Sequence, residues 1–331
     1  MERNTGNLKG DPAVVHSSRS LHGHAAGQAN ALHRLGWMMA ALMSHTGWGI
    51  YPVLARYLQV VSRLPSMSIL VVGSVPLLLV MALAGRRHWQ RRYLSSRVLW
   101  WLALVVLLRS ITNLLAARYT LSVYVQLITQ MTPFVVAVLG ALLFRERVPP
   151  YTGRAVVLSL AGALLLVSGR IGEAGAFSFT RSDWIGVAFA SSSTIFLALY
   201  MLLVRHTVHF GIPGEVVFMA QLVVVATTSS VLSAAFGEDW SRWTALAFQD
   251  WAVFFTFVFG VILGANVLQI GSLRRLGAPL VSSMLAWRWI SALVAAALLL
   301  GERLTSVWQF AGAAIIFVVI TWYVRQNVTE T

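Results

Sequence analysis

Long uncharged apolar runs, each closed by charged or turn-forming residues, follow one another along the chain from about residue 35 onward. They fall at 35–55, 67–85, 98–117, 121–144, 153–169, 183–204, 214–236, 251–272, 277–300 and 307–324. Runs of roughly 17–24 residues cross a hydrocarbon layer of about 30 Å as α-helices. None alternates polar and apolar positions as a barrel strand would, and an open strand cannot lie in lipid. The pattern predicts an all-α integral membrane protein with ten transmembrane helices.

Residues 1–34 break the pattern. They are polar and rich in Gly, Ser, Ala and His, with no apolar stretch of the kind a cleaved signal needs. Four histidines lie here, His16, His22, His24 and His33. An ion shared by His22 and His24 would make a metal-sensing tail. The simpler expectation is a disordered cytoplasmic leader, because this composition supports no core, and no metal site is assigned.

Composition sharpens the picture. Of 331 residues 58% are hydrophobic and 11% charged, against about 25% charged in a soluble domain. That excludes a soluble enzyme. Cysteine is absent, which removes disulfides, thiolate nucleophiles and Cys-based metal sites. The net charge of +14 reads as loop asymmetry rather than as a nucleic-acid surface. Sixteen Lys and Arg fall in segments that are cytoplasmic if the N-terminus is inside, seven fall in the opposite loops, and Arg109 and Arg288 lie within spans. The bias places both termini in the cytoplasm.

The chain repeats itself. Leu142-Leu143-Phe144-Arg145-Glu146-Arg147 recurs as Leu298-Leu299-Leu300-Gly301-Glu302-Arg303, 156 residues on. At the same offset Arg118 matches Arg274, Val125 matches Val281, Val138 matches Val294 and Ala141 matches Ala297. Each copy closes the fourth span of a five-span half. An odd number of spans turns the second copy upside down, which is the inverted-repeat plan of alternating-access carriers. The expected halves are 35–170 and 183–325.

These segments carry a family resemblance. Thr120 to Gly169 and Gly277 to Val324 resemble the EamA-type module of the drug/metabolite transporter superfamily, in which a small-residue helix ends in a Glu-Arg pair before another apolar helix. Trp48-Gly49, with Arg56 eight positions on, looks like that family's first-helix signature, although Arg56 stands where the family often has Lys. Trp287-Arg288-Trp289 also departs from the family, whose ninth helix is more often small or apolar. The resemblance implies a ten-helix transporter, and members resembling this chain often export amino acids and related metabolites.

Charge inside the spans points to chemistry. Glu146 and Glu302 close helices and Glu215 opens one, so each is expected to pair locally at a boundary, Glu215 alone also having a cavity-facing alternative. Arg109 and Arg288 sit mid-span, where a charge costs at least about 2.5–3.5 kcal/mol on insertion scales and normally marks a pathway. A guanidinium fork suits a carboxylate or phosphate, and the spans offer almost no acid to pair with it. The simpler role for each arginine is to cap backbone carbonyls or snorkel. Polar residues recur at helical spacing nearby: Arg109 with Asn113, Gln126 with Gln130 before Pro133, Asn266 with Gln269, and His45, Trp48 and Tyr51 along the first span. Tyr124 and Trp287 complete the candidate binding set. Any single amide could equally be interhelical glue worth about 0.6–2 kcal/mol. His45 is the candidate for proton coupling, its unperturbed pKa lying near 6.5.

No zincin, Walker A or nucleophile-elbow motif and no intramembrane carboxylate pair occurs in the sequence. The expectation is therefore a non-enzymatic secondary transporter of the cell inner membrane, without catalytic residues or cofactor. It would export a small amphoteric, carboxylate-bearing metabolite, either an amino acid or a derived compound such as an opine-type metallophore. The rival readings are efflux of apolar drugs and a membrane-embedded enzyme or flippase acting on an anionic lipid. Beyond the substrate and the bilayer, the expected partner is a second copy, a homodimer joined through small-residue faces of the fifth and tenth spans.

Overall fold

The computed structural model describes residues 35–85, 93, 95–145, 150–168, 180–276, 286–302 and 306–329, and among them every regular element is helical. The first helix, α1, runs over 35–56 and widens into a π-helical turn at Tyr57–Val61. It is followed by α2 (Ser66–Gly85), α3 (Arg97–Tyr119), α4 (Ser122–Thr129), α5 (Thr132–Phe144) and α6 (Thr152–Ser168). Then come α7 (Arg181–His209) and α8 (Gly214–Ala235). The next helix, α9, joins Phe248–Phe255, a π-helical stretch Thr256–Ala265 and Asn266–Leu276; α10 (Ala286–Leu299) and α11 (Val307–Thr329) complete the chain. Six stretches are long and apolar enough to cross a membrane: Ser66–Leu83, Arg97–Tyr119, Ser122–Leu143, Arg181–Leu203, Gly214–Ala235 and Phe248–Ser272. Trp287–Leu299 and Val307–Tyr323 are shorter apolar helices. Large apolar side chains such as Leu142, Leu298 and Val307 face outward from the bundle, an arrangement suited to lipid. Residues 1–34, Glu146 and Arg303 lie outside the described residues.

The fourth span breaks where its proline dictates. Pro133 has no N–H to give the Thr129 carbonyl four residues back. The Thr132 hydroxyl takes that carbonyl instead, and Thr194 of α7 reaches the neighbouring Ile128 carbonyl at 3.3 Å. The chain turns at Gln130 and Met131 before α5 begins.

Helices distant in the chain pack in pairs, α2 on α8, α4 on α10 and α6 on α11. Likewise α3 lies along α7, while α1 meets α9, the Ser44 hydroxyl bonding the Ala265 carbonyl at 2.8 Å. A two-fold axis between the halves would give these pairings. The α6–α11 contact places Gly162 against the Gly312 carbonyl, so the small faces of the fifth and tenth spans meet within one chain.

One end of the bundle is stitched by carboxylates from the second half. Glu302 accepts from Arg56 Nε at 2.8 Å and from the Ser122 amide and hydroxyl at 3.1 and 2.6 Å. The same Arg56 donates to the Thr120 and Ala117 carbonyls at the end of α3. Glu238 accepts from the Met67 and Ser68 amides at the start of α2, at 2.9 and 2.8 Å. Both carboxylates thus meet unpaired amides at the positive end of a helix. The local pairing expected for Glu302 involves Arg303, which lies outside the described residues; the contact with Arg56 is one that nearest-neighbour spacing could not foresee. Glu302→Ala leaves Arg56 without its acid, and breaking such a pair costs about 3–5 kcal/mol. A clear fall in melting temperature is expected in detergent.

Candidate functional site

Residues 44–49 of α1 are wedged between α9 and α10. A Cβ at Gly49 would stand 2.3 Å from the Arg288 carbonyl oxygen, and one at Gly47 would stand 2.7 Å from the Ala265 Cβ. Trp287 Nε1 donates to the Thr46 hydroxyl at 2.8 Å. This close approach fixes the rotation of α1, and with it the direction of Trp48 and Tyr51.

Both aromatics line a cavity of about 80 Å³ between helices of the two halves. Arg109 and Asn113 of α3, Tyr200 of α7, Gln221 of α8 and Asn266 of α9 join them. At roughly 10–15 Å³ per water such a cavity has room for several waters. The Arg109 guanidinium carbon lies 5.1 Å from the Trp48 ring centroid and 5.6 Å from that of Tyr200. Cation–π attraction thus holds the cation from two helices. Among the described residues no carboxylate pairs with Arg109. Three buried polar atoms on the same wall lack a hydrogen bond: Trp48 Nε1, Asn113 Oδ1 and Gln221 Nε2. Gln221 is 7% exposed. Buried polar groups are nearly always paired, so a charge and three residues with unpaired polar atoms gathered around one cavity mark it as a candidate site.

The other predicted residues are placed elsewhere. Arg288 is buried and donates from Nε to His45 Nδ1 at 2.8 Å, away from the cavity wall. That bond needs a lone pair on Nδ1, so protonating His45 there would break it and set two cations face to face. His45 is an acceptor for Arg288 in this arrangement. Accordingly, His45→Gln, which keeps an acceptor oxygen, is expected to leave the pH profile of transport unchanged between about pH 5 and 8. A shifted profile in a flux assay would restore the proton-carrier role. Gln126 is buried with its amide nitrogen unpaired. Gln130 lines a second, smaller cavity with Trp289, Phe317 and apolar neighbours. Tyr124 accepts from Gln309 Nε2 at 3.4 Å. Gln269 is half-buried on α9 beyond the cavity, and Trp287 is half-exposed at 42%.

Residues 35–168 match the EamA-like transporter family. That segment is an EamA-like module. The matched family is one of membrane transporters of the drug/metabolite superfamily, and six described stretches of this chain are long and apolar enough to cross a membrane. No curated protein matches the sequence. Nineteen solved chains match in structure. One of them, a crystal structure of a protein, superposes with a TM-score of 0.58 at 17% identity, covering 88% of this chain and 98% of its own. The fold is therefore shared well beyond the EamA-like module.

The module supplies Trp48, Tyr51, Arg109 and Asn113, and helices beyond it supply Tyr200, Gln221 and Asn266. Tyr200 and Gln221 were not among the sequence candidates. Gln221 had a signal, as the sole amide of the seventh span. Tyr200 had none, because an aromatic in a span is as often packing or an interfacial anchor as a site residue.

Proposed function

We propose that this protein is a secondary carrier moving a small amphoteric, carboxylate-bearing metabolite by alternating access, with Arg109 as the anchor for the carboxylate. The observation that carries the reading is a guanidinium held between Trp48 and Tyr200 on a cavity wall with no acid beside it among the described residues. A buried cation is expensive to insert, and a carried anion would neutralise it only while bound. Asn113, Gln221 and Asn266 bind the polar body, while Trp48 and Tyr51 wall its apolar part. One arginine on the cavity suits one carboxylate better than several, which weighs against a metallophore with many acidic groups.

The rest of the reading follows the sequence. Two inverted five-span halves, 35–170 and 183–325, cross the inner membrane ten times with both termini cytoplasmic. Residues 1–34 form a cytoplasmic leader. Outward transport rests on the family resemblance. Untargeted metabolite profiling of cells and medium tests the proposal, comparing a deletion strain with strains carrying wild type or Arg109→Ala. Accumulation of an acidic or zwitterionic metabolite in the deletion strain, relieved by wild type alone, is the expected result. Equal relief by Arg109→Ala overturns the arginine anchor.

A further inference from the structure

Resting on the alternating-access reading, we infer that the Arg56–Glu302 ion pair is a latch between two bodies of the molecule, closed in this structure and parted in each transport cycle. Two apolar cores define the bodies. One is built from α1, α2, α3, α8 and α9. The other is built from α4, α5, α6, α10 and α11, with Val53 of α1 reaching into it. Helix α7 lies along α3 and also touches α5. Each half of the chain thus gives its last two spans to the second body and earlier spans to the first. Matching hydrogen bonds support a two-fold relation of the halves. The Ser44 hydroxyl of α1 bonds the Ala265 carbonyl of α9 at 2.8 Å, and the Ser193 hydroxyl of α7 bonds the Arg109 carbonyl of α3 at 3.4 Å. Ala265 stands 156 residues after Arg109, the offset of the repeat. Exchanging inverted halves maps each body onto itself with its ends reversed. A rocking that parts the bodies at one end therefore has a counterpart that parts them at the other.

The pair crosses the joint between the bodies. Arg56 of α1 donates to Glu302 at 2.8 Å, and the Glu302 side chain is only 7% exposed. Each ion also has a seat on its own side. Arg56 donates to the Ala117 and Thr120 carbonyls at 3.1 and 2.6 Å, where α3 ends. Glu302 follows α10 and accepts from the Ser122 amide and hydroxyl, where α4 begins. Between these seats lie Thr120 and Leu121, the extended residues that join α3 to α4. The ion pair therefore clasps across a hinge. Once it parts, Arg56 keeps carbonyls at the negative end of α3 and Glu302 keeps an amide at the positive end of α4. Neither ion is stranded, unlike the survivor when one partner is deleted. A separate network keeps the first body whole at this end. Gln59 donates to the Leu114 carbonyl of α3 at 2.9 Å and accepts from Ser66 of α2 at 2.7 Å, and Arg118 of α3 donates to Ser66 at 3.0 Å. The bodies also touch where Gly49 meets the Arg288 backbone, two turns of α1 back from the latch, which suits a fulcrum.

The absence of cysteine lets spin labels report on both ends of the full chain in lipid nanodiscs. Val61→Cys with Val307→Cys spans the bodies at the latched end, and Leu35→Cys with Leu143→Cys spans them at the opposite end; all four positions are exposed. Pulsed electron-spin resonance reads the distances within each pair. Glu302→Gln is expected to raise the share of a longer distance at the latched end at least about tenfold over that of a minor state, with a matching gain of a shorter distance at the opposite end. Glu302→Asp, which keeps the charge and shortens the reach, is expected to give a smaller shift in the same sense. Lengthening at the latched end alone is local loosening and overturns the latch. Two distances at each end in wild type that neither variant redistributes also overturn it, and leave alternating access standing. One fixed distance at each end in every form overturns alternating access as well.

Discussion

Replacing Arg109 by leucine is expected to abolish transport while holding or raising the melting temperature of the purified protein. The two effects separate because the residue has no ion-pair partner among the described residues. A structural arginine inside a membrane protein is tied to an acid or to backbone carbonyls, and removing it leaves those groups stranded. Arg109 instead lies over Trp48 and Tyr200, an attraction worth about 0.5–2 kcal/mol for each contact. Against this stands an insertion penalty of at least about 2.5–3.5 kcal/mol, which leucine removes. The loss falls on the substrate, because a hydrogen bond to a charged group contributes about 1.5–3 kcal/mol, or roughly ten- to 150-fold in affinity per bond. Arg109→Lys keeps the charge but not the planar fork or the stacking, so it is expected to transport weakly. A flux assay in proteoliposomes beside a melting curve reads both effects. A melting temperature that falls sharply in Arg109→Leu would make the residue structural.

The second large effect is expected at Gly49. Its α-carbon faces the backbone of α10, where an added methyl would meet the Arg288 carbonyl oxygen at 2.3 Å and its carbonyl carbon at 3.0 Å. A backbone carbonyl inside a helix cannot swing aside as a side chain can. Overpacking commonly costs about 1–3 kcal/mol and sometimes more, and Gly49→Ala is expected at the upper end or beyond, with α1 pushed off α10 and the Arg288–His45 bond broken. Gly153 is the control. Nothing lies within 4 Å of its added Cβ, so Gly153→Ala should be neutral or gain up to about 1 kcal/mol of helix propensity. Melting temperatures of the two variants check the contrast, and equal stability would contradict the wedge.

The dipeptide Trp48-Gly49, recognised in the sequence as a family-like signature, thus does two jobs. Trp48 faces the cavity, and the neighbouring Gly49 lets α1 come close enough to place it there. Sequence pattern made the helical positions legible because lipid demands long apolar runs, and it marked Arg109 and Asn113 because mid-span charge is rare and four residues make one turn. Pattern did not reveal the direction in which a helix is turned. Arg109 and Arg288 carried the same signal, yet one faces the cavity and the other donates to His45. Gln126 and Gln221 are each a buried amide in an apolar span, and only Gln221 lines that cavity. The pairing of Arg56 with Glu302 joins residues far apart in the chain, where local spacing carries no information. Rotation and partnership are set by packing between helices.

The absence of cysteine opens the most direct test of an anion-binding cavity. Ser110 lines the cavity next to Arg109, so Ser110→Cys provides a sole thiol at the site. Its rates of reaction with a sulfonate-bearing and a trimethylammonium-bearing methanethiosulfonate reagent should differ. A unit charge lining the same cavity is worth on the order of 1–4 kcal/mol at an effective dielectric of about 20. The anionic reagent is therefore expected to react at least about tenfold faster, after correction for a free thiol, and Arg109→Gln is expected to erase that preference. A cationic reagent that reacts as fast as the anionic one, or a preference that survives Arg109→Gln, would contradict the account.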